Sequence, residues 1–193
     1  MSRGYRITGG EGARGKRGGH AISERLDELA GGIKSDASSE RGLEARLKYL
    51  TNSPAGYQAM ERAGVSVTAR TLIAWLSGDR DPSKANAGRI DAAYRDMRRR
   101  NIAKTMKKRL SNDGRGTRVE VHPVDQSRVP DHKQRDLNVR RIKIRPAQWD
   151  QLVDAWAAGD IASMDDIWDG IAEDTIGSDW GAYTTVGAIG FGA

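Results

Sequence analysis

Lysine and arginine stop at Arg145: all 32 lie at or before that residue, and residues 146–193 contain none. That last stretch carries nine carboxylates instead, eight Asp and Glu173, so the formal +6 divides into +15 over residues 1–145 and −9 over residues 146–193. Cysteine is absent, which excludes disulfides and thiolate metal sites. Phenylalanine occurs once, and the hydrophobic fraction of 37% suits small helical cores better than one large one. No apolar run approaches the roughly 20 residues of a membrane span, and the N-terminus lacks the apolar core of a signal peptide.

A charge division of this kind points to a polyanion as the partner of the first three-quarters of the chain. Phosphates reward clustered cations because each neutralised charge releases condensed counterions. The expectation is a soluble, cytoplasmic, nucleoid-associated protein that binds nucleic acid and no membrane.

Residues 1–19 hold seven Gly and five Lys or Arg with no hydrophobic period. Such a stretch buries too little apolar surface to offset its chain entropy, so residues 1–22 are expected to be a disordered basic tail. Gly10, Gly12 and Gly15 match the spacing of a dinucleotide-binding turn, and Gly10 to Lys16 begins a phosphate loop. Arg17 stands where Ser or Thr should hold magnesium, and no apolar strand precedes the glycines, so the match carries no nucleotide site.

Residues 23–110 read as a helical domain. Ile22, Leu26 and Leu29 share a face in a short helix from Ser23, ended by Gly31-Gly32. A second helix runs from Ser39 to Leu50 on Leu43, Leu47 and Leu50. Ser53 and Pro54 suit the N-cap and first turn of a third. Pro54 to Ala63 then forms a helix with Tyr57, Met60 and Ala63 inward. Gly64-Val65-Ser66 forms a tight turn, and a helix from Val67 to Leu76, capped by Ser66, buries Leu72, Ile73, Trp75 and Leu76. This is the pattern of a helix-turn-helix, whose second helix presents its N-terminal residues to base edges. Ser66, Thr68, Arg70 and Thr71 are the candidate DNA contacts there, Arg suiting guanine and Thr a phosphate or thymine methyl. The plainer alternative is a helical hairpin with GVS as its turn.

Asp81-Pro82-Ser83 opens a longer helix reaching Leu110. Its distal part holds Arg98, Arg99, Arg100, Lys104, Lys107, Lys108 and Arg109, with no carboxylate between Asp96 and Asp113. Seven like charges repel unless screened, so these residues are expected to meet phosphates without reading sequence.

Residues 111–193 read as a β-β-α-α-β module. Thr117 to His122 and Leu137 to Arg145 alternate as half-buried strands, with Val139, Ile142 and Ile144 on one face of the second. A polar loop, Pro123 to Asp136, separates them. Pro146 starts a helix with Trp149, Leu152, Val153 and Trp156 inward, ended by Gly159. Ser163 caps the next helix, and Thr184 to Phe191 forms a last small strand. A basic strand followed by two helices resembles the ribbon-helix-helix family over Leu137 to Thr175. That resemblance implies a dimer whose ribbon turns Arg141, Lys143 and Arg145 to DNA. A small α+β domain with a solvated basic face is the alternative. The whole is expected to be mainly α with a small α+β part.

Catalytic constellations are missing. His122, at the end of the first strand, and Asp125, Asp131 and His132, in the loop after it, share no helix face, so no metal and no cofactor is expected. No nucleophile elbow occurs. The pattern of Asp165, Asp166 and Asp169 reads as a solvated acidic surface rather than a two-metal site, and no enzyme is expected.

The order of parts, with Ala63-Gly64-Val65-Ser66, Arg70-Thr71, Val119-Glu120-Val121 and Val139-Arg140-Arg141-Ile142-Lys143-Ile144-Arg145-Pro146, resembles the telomere terminal proteins of Streptomyces linear replicons over residues 43–176. The resemblance implies a protein that caps DNA ends and offers a hydroxyl to prime replication. It also implies a DNA polymerase and a telomere-binding protein as partners. In the family the acceptor is a threonine before the second strand. Here that loop has Ser127 as its only hydroxyl residue, with Thr117 and Ser111 flanking the first strand. The alternative function is a helix-turn-helix repressor, or a plasmid or phage partition or replication regulator. A coating protein without sequence preference is a third.

Overall fold

The computed structural model describes residues 12–192. Seven α-helices and five short strands occur among them. They divide into two compact units, residues 30–102 and residues 12–29 with 103–192.

The unit of residues 30–102 is helical. Its helices are α2 (Glu40–Thr51), α3 (Pro54–Arg62), α4 (Ala69–Ser77) and the first part of α5 (Lys84–Ser111). Leucines three and four residues apart make one apolar stripe on α2, and Leu43, Leu47 and Leu50 are buried with Met60, Trp75, Ile90, Tyr94 and Met97. The caps follow local chemistry. Ser39 accepts the Gly42 N–H at 3.1 Å, and Ser53 accepts that of Gly56 ahead of α3, which has Pro54 in its first turn. One charge lies inside this core's margin: Arg46 donates to Asp91 at 2.7 Å and to the Ser35 and Gly42 carbonyls, with the Tyr94 ring 5.3 Å from its guanidinium.

The other unit joins α1 (Gly18–Ala30, of which Ala30 belongs to the helical unit), the end of α5, α6 (Pro146–Ala158) and α7 (Ile161–Ile176) with two small sheets. Strands β3 (Arg140–Ile144), β2 (Thr117–His122) and β5 (Ala188–Phe191) form an antiparallel sheet in that order. β1 (Lys16–Arg17) pairs with β4 (Thr185–Val186). Alternation puts Val119, Val121, Ile142, Ile144 and Ile189 on the buried face, together with Trp149, Leu152, Val153, Trp156 and Trp168 from α6 and α7.

Several expectations change. The tail was expected to extend to residue 22, but residues 12–22 are ordered by the C-terminal elements. Arg14 bridges Asp125, β1 pairs with β4, and α1 begins at Gly18 rather than Ser23. Close approach explains the glycines: a Cβ on Gly18 would lie 2.1 Å from Trp168 Nε1, and one on Gly19 2.3 Å from the Met164 carbonyl carbon. Residues 1–11, including Gly10 of the phosphate-loop pattern, lie outside the described residues. The expected boundaries at 22 and 110 accordingly differ from the compact units, because α1 and the end of α5 belong with the strands. The expected last strand divides at Gly187, where a Cβ would meet the Pro123 carbonyl at 2.5 Å. Val139 precedes β3 and is exposed. The polar loop, Pro123 to Asp136, nevertheless buries Val124 and Val129 and contains a 3-10 turn at Asp131–Lys133. α7 is capped by Asp160, which accepts both the N–H and the hydroxyl of Ser163, so Ser163 is the capped residue rather than the cap. Those same bonds, the hydroxyl first, hold the Asp160 carboxyl below its ordinary range.

Candidate nucleic-acid interface

α3 and α4 are joined by Ala63 to Thr68. Gly64 adopts φ +78°, a left-handed conformation that glycine takes without steric cost. Val65 packs against the helical core, as expected of a side chain filling the angle between two helices. The cap of α4 is Thr68, not Ser66. Its hydroxyl accepts the Thr71 N–H at 3.2 Å and lies 3.0 Å from the Thr71 hydroxyl. α4 therefore starts at Ala69, two residues later than expected, and the two threonine hydroxyls are engaged with each other. Ser66 is exposed.

The buried side of α4 is narrower than expected. Trp75 is buried, while Leu72 and Leu76 are half-buried against the core. Ile73, expected inward, is 64% exposed, and Tyr57 of α3, also expected inward, is 49% exposed. At 100° per residue Arg70, Ile73 and Ser77 form one outward stripe, opposite the side anchored by Trp75. Arg70 is exposed and has no ion pair among the described residues. The same holds for Arg80, Lys84 and Arg89. Arg89 stands at the turn itself: a Cβ on Gly64 would lie 3.7 Å from its Nε. Sequence reasoning missed it because it is 25 positions downstream of the turn in another helix.

The arginine-rich stretch of α5 is not one phosphate-facing row. Arg98 is half-buried and donates to the Ala30 carbonyl at 2.8 Å, and Arg99 is half-buried too. Arg100 donates to Asp96 at 2.8 Å, and that carboxylate also receives Arg62 of α3. Burial opposes ionisation at Asp96, but these two guanidiniums outweigh it and hold the carboxyl below its ordinary range. Lys107 pairs with Asp154 at 2.7 Å. Lys104, Lys108 and Arg109 are exposed without an ion pair among the described residues. Lys104 and Lys108 share a face at i, i+4.

The basic strand β3 pairs within the chain, Arg118 opposite Lys143 and Glu120 opposite Arg141. Its other edge carries no strand among the described residues. Arg141 donates to Glu120 at 2.7 Å, which lowers the Glu120 pKa, and Arg145 pairs with Asp174 at 3.2 Å. Lys143 keeps its charge open, and its cross-strand neighbour Arg118 adds a second open cation that β3 alone did not reveal.

The three hydroxyl candidates separate clearly. Thr117 donates to the Leu110 carbonyl at 2.7 Å, and Ser111 accepts the Gly114 N–H at 3.3 Å; both residues are half-buried. Ser127 is exposed. Its N–H donates to Asp125 Oδ1 at 2.9 Å, and this bond, then its hydroxyl, holds the Asp125 carboxyl below its ordinary range. Among the described residues no three His, Asp or Glu side chains converge as metal ligands would. No described helix is long and apolar enough to cross a membrane.

These features define a mainly helical protein with a small antiparallel sheet part. No family model, curated protein or solved structure matches the chain.

Proposed function

We propose that this chain is a sequence-reading, duplex-DNA-binding protein in which α3 and α4 act as a helix-turn-helix. The carrying observation is the outward stripe of α4, with Arg70 exposed and unpaired in its first turn. Charge supports it: residues 30–102 hold thirteen Lys or Arg against eight Asp or Glu, a net +5. In this reading Arg70 contacts a guanine edge, while Arg89, Lys104, Lys108, Arg118 and Lys143 meet phosphates. Thr68 and Thr71 hold the helix start rather than reading bases. Homodimerisation would leave α4 of each copy to read one half-site; a two-chain ribbon would have to use the outer edge of β3.

Selection from a random duplex pool, followed by salt titration on the selected and on scrambled duplexes, tests this. A specific reader keeps an affinity ratio of about 10³ or more at physiological salt. A ratio near one would leave only a nonspecific coat.

Ser127 favours one version of this role, a terminal protein at the ends of a linear replicon. Its hydroxyl is exposed, as a protein primer needs: Oγ attacks the α-phosphorus of a deoxynucleoside triphosphate, the hydroxyl proton and pyrophosphate leave, and a polymerase partner supplies the catalysis. Incubation with end-containing template, polymerase, telomere-binding protein and labelled dCTP should then put label on the protein that survives denaturing gels. Ser127→Ala should abolish it. A regulator such as a repressor would bind its site and take no label.

A further inference from the structure

Four large hydrophobic side chains are exposed among the described residues, and three of them belong to one short stretch of sequence: Tyr57, Val67 and Ile73. Ile73 is the most exposed of the four at 64%, in the middle of α4. With Trp75 turned inward, position 73 falls on the outer side of α4 whatever residue stands there. The stripe through Leu72, Trp75 and Leu76 already anchors α4, and a polar residue at position 73 would serve a solvated face better. Arg70 precedes it by one turn on the same side, and the open cations Arg70, Arg80 and Arg89 lie on α4, just after it and beside the turn before it. An apolar side chain one turn from the unpaired Arg70 fits a polyanion that also carries an apolar group.

Duplex DNA has one such group in its major groove, the C5 methyl of thymine. The N7, O6, O4, N6 and N4 groups on the base edges there are hydrogen-bond acceptors or donors, which an isoleucine would desolvate without replacing their bonds. Resting on the DNA-reading role of α4, we infer that Ile73 is a specificity-determining residue. It packs on the methyl of a thymine neighbouring the base pair that Arg70 contacts. The sequence read by α4 therefore contains a thymine next to a guanine-bearing pair, and uracil at that thymine is bound more weakly.

The test uses the full chain and the duplex selected from a random pool. Each thymine of that duplex is replaced singly by deoxyuridine, which removes the methyl and leaves the pairing intact. One replacement should weaken wild-type binding about fourfold, the equivalent of one buried methyl group. Ile73→Ala should bind the thymine and deoxyuridine duplexes equally, while its thermal unfolding stays as in the wild type because the side chain is solvent-facing. Equal deoxyuridine penalties in wild type and Ile73→Ala would overturn the inference and leave α4 reading DNA through other residues. Reduced self-association of Ile73→Ala in sedimentation, with DNA affinity unchanged, would also overturn it and assign the patch to a protein contact. Failure of the wild type to select any sequence would instead sink the DNA-reading role itself.

Discussion

Arg17 donates from Nη2 to Asp169 Oδ2 across 2.8 Å, joining β1 to α7. Arg17 also lies 3.6 Å from Asp165, whose carboxylate accepts the His20 N–H. The charge division of the sequence is thus partly closed inside the chain. Lys107 with Asp154, Arg140 with Asp179 and Arg145 with Asp174 repeat the pattern: basic residues before position 146 meet carboxylates after it. The acidic helices are internal counterions for part of the +15, and the remaining open cations are fewer than composition suggests.

Replacing Arg17 by Met removes the charged partner of a carboxylate that is largely buried. The expected loss is about 1.5–3 kcal/mol, the range for a hydrogen bond to a charged group left unmade. Urea unfolding of the full chain reads it as a lower midpoint with an unchanged slope. A midpoint equal to the wild type would mean that the Arg17 side chain contributes nothing to the C-terminal unit.

At the start of α4, Thr68→Ala should cost about 1 kcal/mol, as loss of an N-cap does, and Thr68→Ser should restore most of it. Ser66→Ala should be neutral. The reverse ranking in thermal melts would restore Ser66 as the cap and lengthen α4 by two residues.

Asp96 links α3 to α5 through Arg62 and Arg100. Its folded pKa lies below the unfolded value, so its contribution is complete above about pH 4 and is lost as pH falls through the folded value. Asp96→Asn should therefore be less stable than wild type at pH 7, with the gap closing at pH 3. Paired urea melts at the two pH values check the sign; a gap that widened in acid would contradict it.

Lys104→Ala and Lys108→Ala should each weaken binding to any duplex and lower the slope of log affinity against log salt by about one. Lys107→Ala, whose charge is already met by Asp154, should change that slope less. Slopes equal to that of the wild type for all three variants would remove the distal part of α5 from the DNA contact.

Local chemistry made much of the fold legible. Leucine spacing set α2, Ser53 with Pro54 started α3, Gly64 marked the turn, and alternation of Val119 and Val121 against polar neighbours placed β2. Helix starts were less legible where two hydroxyl residues compete. Ser66 or Thr68, and Asp160 or Ser163, satisfy the same local rule, and the choice depends on backbone that distant packing holds. The site was legible as a stretch of sequence but not in its charges. The arginine run at 98–100 looked uniform, yet Arg98 caps a carbonyl and Arg100 answers a carboxylate, while Arg89 and Arg118 came to the surface unannounced.

By itself, then, the sequence determined periodicity, turns and the uneven distribution of charge, because each depends on neighbours within a few residues. Tertiary structure decided which cations remain open, since a counterion can come from more than 100 residues away, as Asp169 does for Arg17. It also decided that Gly18 and Gly19 belong to a packed helix rather than a tail, because only the approach of Trp168 and Met164 makes their missing side chains necessary. And it turned Ile73 outward, because one buried tryptophan with two flanking leucines is enough to seat α4.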